Sequence, residues 1–227
     1  MVGYYFTTPA APFLMKAMEL TGSTIADITP DIPPYVSEET ECNAHMTSRG
    51  EHVGFMGPSQ SDRKAVLWTG TPLRGVELSP IGSVSSWGQG IWRGEQVGYA
   101  VFSNQRAGIW SGTADSWVDL SVFLPAGFTL SNARGIWSDR FNTHVVGWGT
   151  NSATGRTEAL LWSRASCWAD LTHNEVVDDA DFVPFVQAYN DLVCPALLCP
   201  ADLNDDGVVD DADFQLFVVA YDALLCP

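Results

Sequence analysis

Residues 202–214 read DLNDDGVVDDADF. Their oxygen-bearing side chains recur at the spacing that one calcium ion requires. With Asp202 as position 1, Asn204, Asp206, Asp210 and Asp213 fall at positions 3, 5, 9 and 12. Gly207 stands at position 6, where a loop wrapping an ion must turn sharply, and the carbonyl of Val208 supplies the ligand at position 7. A solvated acidic turn has no reason to match all these ligand positions and the glycine together. The expected ligand set is therefore Asp202, Asn204, Asp206, Val208, Asp210 and Asp213, with Ca2+ as the ion.

The pattern occurs once more, 32 residues upstream, where residues 170–182 read DLTHNEVVDDADF. The second expected set is Asp170, Thr172, Asn174, Val176, Asp178 and Asp181. Thr172 is the poorer ligand at position 3. Glu175 replaces the glycine, so the sharp turn forces a residue with a Cβ toward positive φ. This loop is expected to bind its ion more weakly.

An apolar stripe follows each loop. Phe182, Phe185, Val186, Tyr189 and Val193 are spaced as one face of a helix, and Phe214, Phe217, Val218, Tyr221 and Leu225 repeat that face. Neither helix can hide its stripe alone, so the two units are expected to pack as a pseudo-twofold pair around a small shared core. No helix-forming segment precedes either loop, which makes each a half EF-hand. A duplicated loop–helix unit with Asp at position 12 resembles the dockerin family, over roughly residues 167–227. The resemblance implies a two-ion fold, an extracellular setting and docking to a cohesin-like or envelope protein. Positions 10 and 11, which usually guide that recognition in the family, read Asp179-Ala180 and Asp211-Ala212, a departure from its hydroxyl-bearing or aliphatic choices.

Charge divides the chain at the same place. From Cys167 onward there are 13 acidic residues and no Lys or Arg, against a net charge of −16 for the whole chain. Concentrated negative charge argues against nucleic acid and against anionic membranes as partners. No apolar run is long enough to span a bilayer.

Four of the five cysteines, Cys167, Cys194, Cys199 and Cys226, bracket the two loops at matching offsets, as expected of disulfides made in an oxidising compartment. A zinc site is the alternative, without a close CxxC pair to support it. Equal offsets suggest one bridge within each unit. Helix length opposes this, because Cys226 lies 13 residues beyond Asp213, up to ~20 Å along a helix, whereas bridged Cα atoms lie within ~7 Å. With the helices antiparallel, as the resemblance to dockerins implies, the expected pairs are Cys167 with Cys226 and Cys194 with Cys199. Cys42 is left over, as a buried thiol or the partner of a cysteine this chain lacks.

Residues 1–166 are organised by repeats. Residues 65–71, AVLWTGT, recur as AGIWSGT at 107–113, and residues 159–162, ALLW, open a third copy. Gly90-Ile91-Trp92 matches Gly135-Ile136-Trp137, and residues 93–99, RGEQVGY, match 49–55, RGEHVGF. A fainter unit precedes these, with Phe13-Leu14-Met15 and Asp27-Ile28-Thr29 at the earlier strand positions. Each unit holds about four short β-prone runs parted by Gly, Ser, Asn and Pro, the content of a propeller blade. The stretch resembles extracellular HAF-type repeats. The expected fold is a mainly β repeat of about three propeller-like four-stranded blades over 1–166, incomplete as a ring, with the small helical calcium module over 167–227. All nine tryptophans lie between Trp68 and Trp168; their recurrence at one place in successive units favours blade core over sugar stacking.

Catalytic motifs are missing. His45, His52, His144 and His173 have no metal-ligand spacing, and no GxSxG, P-loop or GxGxxG occurs. Asp115 and Asp119 could be read as a carboxylate pair, but Glu77 matches Asp119 in the neighbouring copy, so repetition favours structure. The start resembles the Val-Gly-aromatic end of a preceding copy and no export signal stands before it, so a longer secreted protein is expected. The reading is an extracellular or cell-surface, non-catalytic protein whose calcium module docks a β-repeat binding or spacer region, with a glycan as a further possible ligand. The alternatives are a C-terminal fragment of a polysaccharide hydrolase and a purely structural surface repeat protein.

Overall fold

The computed structural model describes residues 2–6, 15–21, 23–28, 41–48, 50–69, 74–138, 142–165, 168–172, 176–191, 199, 201–204 and 206–223. The fold is mainly β, with two helices at the C-terminal end. Four antiparallel sheets follow one another in sequence. The first comprises β1 (Val2–Phe6), β2 (Met15–Thr21) and β3 (Thr24–Asp27). The second is a four-stranded meander of β4 (Glu41–Ser48), β5 (Glu51–Gly57), β6 (Lys64–Thr69) and β7 (Arg74–Glu77). A second meander contains β8 (Ser85–Trp92), β9 (Glu95–Val101), β10 (Gln105–Trp110) and β11 (Val118–Asp119). The last sheet has β12 (Phe128–Ser138), β13 (Asn142–Asn151) and β14 (Arg156–Ala165). Among the described residues these sheets close into neither a barrel nor a propeller ring.

The local sequence explains the meanders. Arg93 and Gly94, between β8 and β9, have φ of 47° and 79°, the two left-handed residues of a hairpin turn whose twist matches its strands. Gly50 repeats the conformation at 79°. Each second strand then carries Val-Gly-aromatic. At Gly54, Gly98 and Gly147 a Cβ would collide with the carbonyl oxygens of Asn43, Trp87 and Asn132 on the neighbouring strand, so only glycine lets the strands approach.

Register fixes which residues are equivalent. Tyr4 pairs with Ala17, Phe55 with Ala65, and Tyr99 with Ala107. The repeated alanine run is therefore the third strand of each four-stranded sheet, not the start of a unit, and Ala17 on β2 holds the same place beside the Val-Gly-aromatic strand β1. The pairing also corrects the reading of the first unit: Ala17, rather than Phe13-Leu14-Met15, takes the alanine position, while Phe13, Leu14 and Thr29 lie outside the described residues.

Successive sheets share cores. Ala17 and Ile28 pack with Met56, Val66 and Trp68 of the second sheet. Val53, Ala65, Leu67 and Leu78 pack with Ile91 and Trp110 of the third. Val97, Ala107, Ile109 and Leu120 pack with Ala133, Ile136 and Val145 of the fourth. Trp68 and Trp110 are buried, and Trp162 donates its indole N–H to the Leu120 carbonyl at 3.0 Å. Backbone N–H groups reach between sheets as well: Ala65 donates to Ser86 Oγ at 2.8 Å and Ala107 to Ser131 Oγ at 2.9 Å. Since Ala44 faces Gly54 as Gly88 faces Gly98, Cys42 sits where Ser86 sits, and it is a thiol buried between sheets.

The chain divides into two compact units, Met1–Trp137 with Val145–Trp162, and Ser138–His144 with Ser163–Pro227. The second unit carries α1 (Asp179–Asp191) and α2 (Asp211–Ala223). Its core is built in matched pairs, Ala169 with Ala201, Val177 with Val209 and Phe185 with Phe217. Phe185 and Phe217 stack at 4.8 Å. Phe182 and Phe214, expected inside, remain 40% and 39% exposed, because valines and alanines of the loops fill the space beneath the helices. Val193 and Leu225 lie outside the described residues. No described helix is long and apolar enough to cross a membrane.

Candidate metal centre

Each loop is locked to its helix by the carboxylates at positions 9 and 12. Asp178 caps α1, its Oδ1 accepting from the Ala180 N–H at 2.8 Å, while Asp181 Oδ2 reaches back to accept from the Asp178 N–H at 2.9 Å. Asp210 and Asp213 repeat this on α2, at 2.8 and 3.0 Å. This reciprocal arrangement is a capping box made with Asp in place of Glu, satisfying N–H groups that a helix start leaves unpaired. The other oxygen of the position-12 residue binds the beginning of the loop. Asp213 Oδ1 accepts from the Leu203 and Asn204 N–H groups at 2.7 and 3.1 Å. Asp181 Oδ1 accepts from the Thr172 N–H and hydroxyl at 2.8 and 2.9 Å.

In the second loop, Asp202 accepts from the Asp206 and Gly207 N–H groups at 3.1 and 2.9 Å. Asn204 accepts from the Asp206 N–H at 2.8 Å and donates its amide to Asp206 Oδ2 at 2.9 Å, while Asp206 Oδ1 accepts from Val208 N–H at 2.9 Å. Gly207 has φ of 91°, the left-handed turn that its place in the sequence demands. Val176 and Val208, whose carbonyls stand at position 7, are 37% and 40% exposed. Asn174, His173 and Glu175 lie outside the described residues, as does Asp205.

Burial separates the carboxylates into two classes. Asp181 and Asp213 are fully buried and Asp170 and Asp202 nearly so, whereas Asp206 is exposed and Asp178 and Asp210 are half-buried. Burial by itself pushes the Asp181 carboxyl up. The N–H groups of Asp178, Thr172 and Leu171 and the Thr172 hydroxyl outweigh it and hold this carboxyl below the ordinary Asp range. Thr172 also hydrogen-bonds Asp170, at 3.4 Å.

Among the described residues no three His, Cys, Asp or Glu side chains are gathered closely enough to grip one ion in this geometry. The donors nevertheless suit calcium. They are hard oxygens, the carboxylates of Asp178, Asp202, Asp206 and Asp210 keep lone-pair capacity beyond their hydrogen bonds, and no Lys or Arg occurs from Cys167 onward to neutralise them.

Two further contacts hold the units together, and neither was expected from the sequence. Tyr189 donates its hydroxyl to Asp211 at 2.5 Å, and Tyr221 donates to Asp179 at 2.6 Å. The end of each helix thus meets the beginning of the other, so α1 and α2 run antiparallel about a pseudo-twofold axis. Their signal was an equal 32-residue offset of both partners. Asp179 and Asp211 are the position-10 residues that depart from the dockerin pattern, and here both face a tyrosine of their own module. Cys199 is buried and disulfide-bonded; Cys167, Cys194 and Cys226, and with them the expected pairing, lie outside the described residues. Comparison with protein-family models, with curated proteins and with solved structures found no match.

Proposed function

We propose that the C-terminal module is a calcium-dependent docking module of dockerin type, two half EF-hands back to back. It ties a propeller-like β-repeat region to a cohesin-like or envelope protein outside the cell. On this reading the chain does no chemistry of its own, and the repeats present a binding or spacer surface. The observation that carries the proposal is the pair of matched loops, with Asp170, Asp181, Asp202 and Asp213 all buried in a segment without a single Lys or Arg. Backbone N–H groups satisfy Asp181, Asp202 and Asp213 as hydrogen-bond acceptors, and the Thr172 hydroxyl bonds Asp170, without cancelling their charge, and buried charge is costly until a cation balances it. The two four-stranded meanders support the blade reading of the repeats.

Calorimetric titration of the full chain with calcium, paired with thermal melts followed by circular dichroism, tests this. Calcium should bind with measurable heat and raise the melting of the helical signal, by about 2.7 kcal/mol of stability at a hundredfold excess over Kd. A helical signal indifferent to chelator after disulfide reduction, together with no heat of binding, would refute the proposal.

A further inference from the structure

The first strands of the last three sheets meet along one seam. His45 on β4 donates from Nδ1 to the Gly88 carbonyl on β8 at 2.8 Å, and Arg134 on β12 donates to Gln89 Oε1 on β8 at 3.1 Å. These three residues occupy one structural place. His45 and Gln89 are the residues that the strand pairing skips, between Ala44 and Met46 and between Gly88 and Gly90. Arg134 stands at the same place in the last sheet, just before Gly135-Ile136-Trp137, the counterpart of Gly90-Ile91-Trp92. A bulge re-aims its side chain out of the ladder. The fold repeats the place and puts a different polar side chain on it each time, so packing does not dictate these side chains.

Trp87 breaks the repeat in the same way. Asn43 and Asn132 hold its place in the neighbouring sheets, since their carbonyls meet Gly54 and Gly147 as that of Trp87 meets Gly98. Trp87 stacks on Tyr99 at 4.7 Å, and both are half-buried. Trp68 and Trp110 bury their indole N–H groups in the cores, whereas the Trp87 N–H and the Tyr99 hydroxyl reach solvent without a partner among the described residues. Two guanidinium groups stand close by. Burial, against the Gly88 bond, lowers the His45 pKa and burial raises that of Tyr99, while the charges of Arg134 and Arg63 act on both. Arg63 is already engaged, bonded to Glu41 at 2.5 Å and lying over the Phe55 ring at 4.2 Å. Arg134 is exposed and has no carboxylate partner among the described residues, in a chain with 27 acidic side chains to 11 basic ones. With Nδ1 committed to a carbonyl, His45 keeps Nε2 as an acceptor.

We propose that this seam binds an acidic saccharide: a uronate carboxylate pairs with Arg134, a sugar ring lies against Trp87 and Tyr99, and Gln89 and His45 hydrogen-bond its hydroxyls. The planar guanidinium matches a carboxylate in two parallel bonds. An aromatic pair with polar tips suits a ring that has C–H faces and hydroxyl edges. The His45 acceptor beside the donors of Gln89, Trp87 and Tyr99 calls for hydroxyls, which both give and take, rather than for phosphate oxygens, which only accept. The proposal rests on the reading of the repeats as a binding surface and not on the calcium module.

NMR of the indole N–H groups of the full chain, titrated with galacturonate and glucuronate oligosaccharides and with their methyl esters, tests this. Trp87→Phe identifies the Trp87 signal. The acids should shift that signal saturably and bind at least about tenfold more tightly than the esters. Arg134→Gln should bring the acids down to the affinity of the esters. Arg156→Gln, the same charge change at an exposed residue elsewhere, should leave the preference intact. Acids and esters that bind alike, or a preference that survives Arg134→Gln, would overturn the proposal and still leave the repeats a binding surface. A Trp87 signal unmoved by every saccharide overturns it as well, and calcium titration of the same sample keeps that result separate from a failure of the docking module.

Discussion

The two loop–helix units of the C-terminal module are nearly the same sequence, and the places where they differ show which parts of the design are obligatory. Both keep Asp at positions 1, 9 and 12, a valine beneath the helix, a central phenylalanine and a tyrosine near the helix end. Those residues make the matched core, the capping boxes and the reciprocal tyrosine bonds. Among the places where the units part are position 3, position 5, where Asn174 stands against Asp206, position 6, and Pro184, whose counterpart is Leu216. Pro184 lies inside α1, where it lacks the N–H that the helix would bond. Packing and capping are thus shared by both units, while the glycine turn of the acidic loop and the continuity of the helix belong to the second.

The largest expected effect tests the shared core. Phe185→Ala and Phe217→Ala should each cost about 3–5 kcal/mol, measured by urea denaturation of the helical signal, and the two costs should agree within error. A large inequality would mean that the pseudo-twofold does not extend to energetics.

Next comes the helix interior. Pro184→Leu copies the second unit into the first and restores the missing backbone bond, so it should stabilise the module by about 1–3 kcal/mol, less any gain of unfolded-state entropy. A destabilised variant would show that α1 needs the proline in a way the second helix does not.

The sixth loop position sharpens the comparison in affinity. Glu175→Gly should tighten calcium binding at the first loop toward that of the second, and Gly207→Glu should weaken the second toward the first, both read by calorimetry. Two equally tight sites in the unsubstituted protein would contradict the ranking.

Acid titration addresses Asp181. Its carboxyl is held below the ordinary value of 3.8 in the folded state, so its contribution is fully present above that value and is lost as pH falls through the lower folded value. Asp181→Asn should flatten this acid limb of the stability curve, and an unchanged limb would assign it to other carboxylates.

The smallest effect concerns the tyrosines. The hydrogen bond to Asp211, then its charge, raises the pKa of Tyr189, and Asp179 does the same for Tyr221. Asp211→Asn and Asp179→Asn should therefore each lower the pKa of one tyrosine, as followed by ultraviolet titration. A variant that leaves its tyrosine unmoved would dissolve that half of the symmetry.

Much of this was legible beforehand because the signals are local. Position 6 demands a left-handed turn, and Gly207 makes one; the apolar spacing after each loop demands a helix, and both form. The capping boxes were legible in principle, since Asp-x-x-Asp before an apolar run is a helix-start signature, yet positions 9 and 12 read more loudly as ligands. The buried part of each helix stripe is narrower than its period implies. Phe182 and Phe214 fit the period but stay half-exposed, because a period says which residues share a side and not how deep the groove beneath them is.

The sequence by itself determined the strands, their turns, the duplicated loops and the acidic character of the second unit, since each depends on neighbours a few residues away. Only the tertiary structure decided the rest: that Ala17 belongs to the repeated alanine position, that Cys42 replaces a buried serine hydroxyl, and that a tyrosine of each antiparallel helix faces an aspartate of the other. These depend on pairing register and on which surface each sheet turns to the next. Such choices are made by side chains far apart in the chain, where a shift of one residue exchanges inside for outside.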